Sequence, residues 1–538
     1  MIRITELRLP LDHSPEALRQ AIVARLDVAE ADLRDFHIAR RGYDARKRGQ
    51  IVLVYHVDCE VENEAAVLAA HANDQHVRQT PDIAYRLPSV PADAPRPVVI
   101  GAGPCGLMAA LLMAQMGLRP IVLERGKIVR ERTVDTFALW RRSELTPESN
   151  VQFGEGGAGT FSDGKLYSGV SDPRHLGRKV LEEFVKAGAP EEILYVSKPH
   201  IGTFRLVSMV EHMRAEIERL GGEYHFGTRV EGLIADGSPR RIRGLRLSDG
   251  RELAASHVVL AVGHSARDTF EMLRKADVPM QAKPFSIGVR IEHPQSVIDT
   301  ARFGEQANHP LLGAADYKLV HHAKNGRGVY SFCMCPGGTV VAATSERDQV
   351  VTNGMSQYSR AERNANAGIV VEVTPERDFP DDVLGGVAFQ RKWERAAFLA
   401  GGGGYKAPAQ RVGDFLEGRP STHLGDVVPS YKPGVTPTDL SLCLPDFAIE
   451  AIREALPKFE RKIRGFSMSD AVMTGVETRT SSPIRLARDA DGQSPGLEGL
   501  FPAGEGAGYA GGILSAGIDG IRAAEWVAAS LRREATGD

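Results

Sequence analysis

Gly101, Gly103 and Gly106 follow the apolar run Pro97–Ile100 in a G-x-G-x-x-G spacing, with Pro104 and Cys105 between them and an apolar helix predicted to run on toward Gly117. The first glycine makes a tight turn, the second lets a pyrophosphate approach the backbone, and the third lets helix and strand pack closely. The helix N-terminus adds free N–H donors and a positive dipole end, so a diphosphate fits there. Glu124 ends the next strand about 20 residues on, where a carboxylate accepts from ribose hydroxyls. An acid at that place points to an unphosphorylated adenosine ribose, and Arg125 beside it joins the candidate cofactor contacts.

The stretch GEGGAGTFSDGK, Gly154 to Lys165, has too many glycines and small polar residues for a packed strand. Its backbone N–H groups can line an anionic cofactor instead, which makes Gly156, Gly157, Ala158, Gly159 and Thr160 candidate contacts. Lys165 can stabilise an anion, or simply close the loop at the surface. His200 precedes a helix predicted over about 206–220, and its near-neutral pKa suits a proton donor; the competing reading is a histidine satisfied at the start of that helix. Cys333 and Cys335 would share one face of a strand, as candidate redox thiols. Small buried apolar side chains are the plainer reading for both, and for Cys105. His321 and His322 would diverge on a strand, and no metal site is expected. Arg479 either pairs with Glu477 or binds an anion.

These residues need elements to hold them. At 538 residues the chain exceeds one core, and about 150 residues per domain gives three to four. Residues 1–92 read as a small N-terminal α+β module, closed by the linker SVPADAPRP. Within it RRGYDARKRG crowds Arg40, Arg41, Arg46, Lys47 and Arg48 near a hairpin tip. That cluster reads as a solvated loop end that discourages edge pairing, the alternative being a docking surface for a protein or RNA. Residues 93–284 read as the first part of a Rossmann-like domain with a β-meander at 228–257, residues 285–465 as an inserted substrate domain, and 466–538 as the second Rossmann part. AGGGGYKAPAQ, from Ala400 to Gln410, lacks a preceding buried strand and carries a proline where a helix should continue, so it is no second fingerprint.

A net charge of −3 offers no general attraction to nucleic acid or anionic lipid. Five cysteines fit a reducing compartment better than a disulfide framework. The longest apolar segment, Gly106 to Leu118, is about half a bilayer span, and the first residues lack the apolar core of a signal peptide. A cytoplasmic protein without a membrane span is expected.

Two distant segments decide what the dinucleotide unit holds. VVLAVGHSA, Val258 to Ala266, and GLFPAGEGAGYAGGILSAGIDGIRAAEWVA near the C-terminus resemble the flavin segments of two-dinucleotide-binding-type flavoproteins. With FGEGGAGTFSDGKLYS, KPHIGT, SFCMCPGGTVVAATSE, NGMS and GVETRTSSPIRL added, nearly the whole chain resembles the bacterial FAD-dependent, or NAD(FAD)-utilising, dehydrogenases. The resemblance implies an α/β fold: a discontinuous Rossmann-like FAD-binding domain, an inserted mixed α+β substrate domain and a small N-terminal α+β domain. It implies further FAD contacts at Val230, Gly263, Gly504, Gly511, Gly512 and Ile513, with Glu505 reaching the ribityl chain where such proteins usually carry aspartate. KPHIGT is followed by Phe204-Arg205 where the family pattern has an aspartate. The expectation is an FAD-dependent dehydrogenase or reductase acting on a small molecule, with NAD(P)H as a transient electron donor that binds without a Rossmann unit of its own. The alternatives are a single-Rossmann flavin monooxygenase and a flavin-bearing module that docks RNA or a protein partner through its N-terminal domain.

Overall fold

Strands covered on both faces need no polar alternation, and the central strands here are accordingly short and apolar. In the structure, a computed structural model that describes residues 1–47 and 49–537, a five-stranded sheet runs in the order Leu500–Pro502, Val258–Leu260, Val98–Ile100, Ile121–Leu123, Glu223–His225. All four pairings are parallel. The helix Pro104–Gln115 leaves the fingerprint turn apolar and buried from Cys105 to Ala114, and the C-terminal helix Ile513–Thr536 packs along it. Gly106 is required at this turn, since a Cβ there would stand 1.9 Å from the Gly101 carbonyl oxygen. The meander follows as strands Val230–Asp236, Arg241–Leu247 and Glu252–Ala254.

The chain passes into a second sheet through Met280–Ala282 and returns through Ile484–Leu486, two short strands that pair antiparallel. The second sheet has the order Val320–His322, Gly328–Ala342, Asn364–Val373, Phe285–Pro294, Val472–Glu477, Ala407–Arg411, Val435–Pro437, with Thr352–Ser356 added beside Gly328–Ala342. It therefore runs past the boundary at 465 expected from sequence: Val472–Glu477 is fully buried and is paired on both sides, to Phe285–Pro294 and Ala407–Arg411. A buried strand looks alike in either sheet, so its apolar residues carry no local mark of which sheet they join. The register of Gly328–Ala342 against Asn364–Val373 shifts between Phe332 and Cys335 and again before Gly338, so the CMCPGG stretch is a double irregularity, the kind of bulge that re-aims side chains.

The N-terminal unit is an antiparallel sheet in the order Leu33–Asp44, Val52–Val61, Ile2–Pro10, Val77–Gln79. It is tied to the rest through backbone bonds of Arg41 to Tyr195 and Ser197 and through Tyr43 edge-on to Phe303. Arg46 pairs with Asp44, and Arg40 bonds Ser197, while Arg48 lies outside the described residues. Among the described residues no helix is long and apolar enough to cross a membrane.

Candidate functional site

The two longest-separated helix N-termini of the Rossmann part, at Gly103 and Gly512, open on one cavity of about 420 Å³. Gly101, Gly103, Pro104 and Cys105 line it from the fingerprint turn, and Glu124 and Arg125 line it from the end of the second strand. Glu124 is buried and already accepts three backbone N–H bonds, from Gly126 (2.8 Å) and Gly154 (3.0 Å) at Oε1 and from Ala102 (2.9 Å) at Oε2. A carboxylate has about four acceptor positions, so Oε2 keeps one for a ligand hydroxyl. Arg125 is clamped by Glu148 and Asp268 and stacks over Phe153.

The glycine loop is organised by a residue that the sequence reading missed. Arg132, fully buried on the helix Val129–Arg142, donates to the carbonyls of Asn150 (2.8 Å), Val151 (2.8 Å), Gly154 (3.3 Å), Glu155 (2.6 Å) and Gly157 (2.8 Å). Burial lowers its guanidinium to about 10, so it remains a cation at neutral pH. Its place in the stripe Val129, Arg132, Thr136, Leu139, the buried face of that helix, was the available signal. Held this way, the loop lies on the fingerprint turn, with the Gly156 N–H bonded to the Ala102 carbonyl at 2.8 Å. A Cβ on Gly157, whose φ is +61°, would come within 2.8 Å of Gly103 Cα.

At the far end of the cavity stand Glu505, His264, Gly263, Gly511, Gly512 and Ile513. Burial pushes the Glu505 carboxyl up to about 7, against Lys283 and the Gly512 N–H. His264 Nε2 is 3.8 Å from Glu505 Oε1, and burial together with the charges of Arg479 and Arg267 holds the imidazole down at about 3, hence neutral. Arg479 also lines the cavity, but its partner is Glu394 and not Glu477, which instead takes the buried Arg290 at 2.6 Å. Glu394 is fully buried between Arg267 and Arg479; burial alone would raise its carboxyl, and the two guanidinium groups hold it well below the usual range.

The third wall carries Asp163, Lys165, Tyr167, Phe332, Cys333 and Asn353. Lys165 donates to the Met334 carbonyl and lies 3.4 Å from Asp163, whose other partner is Arg360 at 2.6 Å. Burial would strip the Lys165 proton, and the two cysteine sulfurs with Asp163 reverse this, so it stays charged.

The cavity thus gathers Gly101, Gly103, Pro104, Cys105, Glu124, Arg125, Gly157, Ala158, Gly159, Lys165, Val230, Gly263, Cys333, Glu505, Gly511, Gly512 and Ile513. It does not gather the others. Gly106 packs under the turn, and the Gly504 N–H is bound to Asp519 at 2.7 Å. Gly156 and Thr160 face inward to Ala102 and Arg132, because the loop uses those groups to fold itself. Cys335 is buried, with its Sγ directed to the Cys333 carbonyl. His200 is engaged elsewhere: its ring nitrogen bonds the Tyr358 carbonyl at 2.9 Å, its ring stacks on Tyr358, and burial lowers its pKa. Gln152 and Thr228 line the cavity with no sequence motif to announce them, while Ser265 and Thr480 come from the VVLAVGHSA and GVETRTSSPIRL stretches.

The residues present fit FAD. Glycines at 263, 511 and 512 border space in which an added Cβ would meet nothing within 4 Å, an open cradle and not a packed turn. Two helix N-termini face it, one suited to a diphosphate and one to an anionic ring edge.

Comparison with known proteins agrees. Residues 96–270 match a family model described as an FAD binding domain, residues 284–480 one described as the C-terminal domain of FAD-dependent proteins, and residues 1–60 a domain of unknown function. A protein of Clostridium beijerinckii bearing the name uncharacterized protein is 46% identical over 532 residues, covering 98% of each chain. Among solved structures, a mutant of the halogenase PltM in complex with FAD aligns over 82% of this chain and 70% of its own at 11% identity and a TM-score of 0.41. The L-amino acid deaminase from Proteus vulgaris aligns over 82% and 94% at 12% identity and a TM-score of 0.34.

Proposed function

This chain belongs to a family of FAD-dependent proteins, and from that premise we propose that it is a dehydrogenase or reductase that passes a hydride between an electron donor and a small-molecule substrate. The observation that carries the reading is the single cavity onto which Gly103, Glu124, Lys165, Glu505 and Gly512 converge from segments hundreds of residues apart. Bound FAD supplies a two-electron hydride carrier at its N5 atom.

The chain's own residues supply the rest. The free N–H groups after Gly103 would hold the diphosphate of FAD, and Glu124 Oε2 would take a ribose hydroxyl. The dipole at Gly512 favours negative charge on the ring edge by up to about 2 kcal/mol. Glu505, with its carboxyl near 7, can hold or release a proton at its oxygens in the neutral range, which the neutral His264 beside it cannot. Lys165 remains cationic and can neutralise charge developing on a substrate oxygen. The proposed donor is NAD(P)H.

Anaerobic addition of NADH or NADPH to the FAD-loaded protein should bleach the flavin's visible absorbance, and a quinone or dye should restore it. Purified protein that is colourless and takes up no FAD would overturn the reading. Oxygen inserted into a product on readmission of air would replace it with a monooxygenase.

A further inference from the structure

Two hydrogen-bond donors on one wall of the cavity are held in place and left with N–H groups to spare. Asn353 lines the cavity from the strand Thr352–Ser356. Its side-chain oxygen accepts from the Gly354 N–H at 2.8 Å and from Arg290 Nη2 at 3.2 Å. An amide oxygen that takes two N–H groups fixes which way the amide points. Nδ2 therefore faces the other way, where it is neither bonded nor enclosed by the described residues, and it opens on the cavity that Asn353 lines. Arg290 is itself immobile: it is fully buried, bonded twice to Glu477 at 2.6 and 2.8 Å, and it donates to the Cys333 carbonyl at 2.8 Å. A buried ion pair is weak evidence for stability; this one orients Asn353, and a Cβ on Gly354 would run into its guanidinium. Lys165 is the second donor. Its ammonium carries three N–H groups, of which one goes to the Met334 carbonyl, next along the chain from the carbonyl that Arg290 holds. Asp163 lies 3.4 Å away, with both its oxygens already taken by Arg360 at 3.0 and 2.6 Å. One carboxylate thus serves two cations, and Lys165 is the more loosely matched of them.

We propose that Lys165 and Asn353 together hold the carboxylate of a small substrate with an apolar or aromatic body. The proposal rests on the reading of this cavity as the substrate site. An ionised carboxylate only accepts hydrogen bonds and does so at two oxygens, which matches two spare donors, one charged and one neutral. A phosphate would bring up to about two negative charges against the one loosely matched cation. Phe332 and Tyr167 line the same wall and offer apolar surface to the rest of the molecule. Lys165 then meets a charge already present on the substrate as well as any that develops in the reaction. Asn353 is a specificity residue and Arg290, acting through it, a positioning residue.

The test is calorimetric titration of the FAD-loaded and the FAD-free protein with benzoate and, separately, with benzamide, its uncharged counterpart. Benzoate should bind at least about tenfold more tightly, because hydrogen bonds to an ionised group are the stronger ones. Lys165→Met and Asn353→Asp should each weaken benzoate by about tenfold or more. Asn353→Asp keeps the size of the side chain and still offers Arg290 an oxygen, so its loss reads recognition and not folding. The unfolding midpoint of each variant in urea checks this, and the comparison of benzoate with benzamide needs no variant. Benzoate that binds no more tightly than benzamide, or whose affinity either folded variant leaves within about threefold, overturns the proposal. So does the absence of any benzoate binding up to about 10 mM. Parent protein that binds benzoate as expected yet takes up no FAD leaves this inference standing and overturns the flavin reading. FAD-loaded protein that NADH bleaches but that ignores benzoate does the reverse, so the two failures are distinct.

Discussion

Replacing Arg132 with methionine removes the five side-chain bonds it donates to carbonyls of the loop Asn150–Thr160 while keeping an apolar stem of similar length. Five backbone carbonyls lose a donor at once: those of Gly154 and Gly157 keep the N–H groups of Gly157 and Thr160, and those of Asn150, Val151 and Glu155 are left unmet. A buried acceptor left unmet costs about 1–3 kcal/mol, and three together exceed what a short loop can bear, so the loop opens to water instead. The cost is then near that of breaking one buried charged contact, about 3–5 kcal/mol. That energy preorganises Gly157, Ala158 and Gly159 at the cavity wall, and about 3 kcal/mol of lost preorganisation corresponds to a weakening of FAD binding by more than about a hundredfold. Titration of flavin-free protein with FAD, followed by fluorescence quenching, measures this, and limited proteolysis locates the cleavage in the loop. Arg130→Met on the same helix is the control: its partner Glu211 is at the surface, and FAD binding should not change. If Arg132→Met binds FAD within about threefold of the parent, the loop does not depend on this arginine and the argument is wrong.

Gly511→Leu puts a side chain into space where a Cβ meets no neighbour within 4 Å; circular dichroism should be unchanged while FAD uptake is lost. Glu505 has a carboxyl raised from about 4.5 to about 7, so the fold disfavours its ionised form. Stability from this group is full below the ordinary carboxyl pKa and is lost as pH rises through about 7, and the melting temperature of flavin-free parent protein should fall over that window relative to Glu505→Gln. Glu394→Gln leaves Arg479 buried without its anion and Arg267 with Glu346 alone. A loss of about 3–5 kcal/mol should show as a lower unfolding midpoint in urea.

The parts legible in the sequence are those whose signal is local. The turn at Gly101–Gly106 with its flanking strand and helix, the acid at 124, and the glycines before the C-terminal helix each carry their pattern within about 20 residues. What the sequence hides is long-range pairing. Arg290 and Glu477 are 187 residues apart, and Arg479 turns away from the nearby Glu477 to Glu394 because the strand Val472–Glu477 belongs to the second sheet, not to the Rossmann part. His200 failed as a cavity residue for a related reason: its position beside the loop is legible, but not the Tyr358 backbone and ring that occupy it. Gly156 and Thr160 belong to the right loop, but the Ala102 carbonyl and the Arg132 guanidinium turn them away from the cavity.

The most direct test of the central claim is a structure of the protein saturated with FAD. The diphosphate should lie at the N–H groups following Gly103, the adenosine ribose at Glu124, and the flavin ring between Gly512 and the wall formed by Lys165 and Cys333. Flavin density in another crevice, or a cavity that stays empty at saturating FAD, would contradict it.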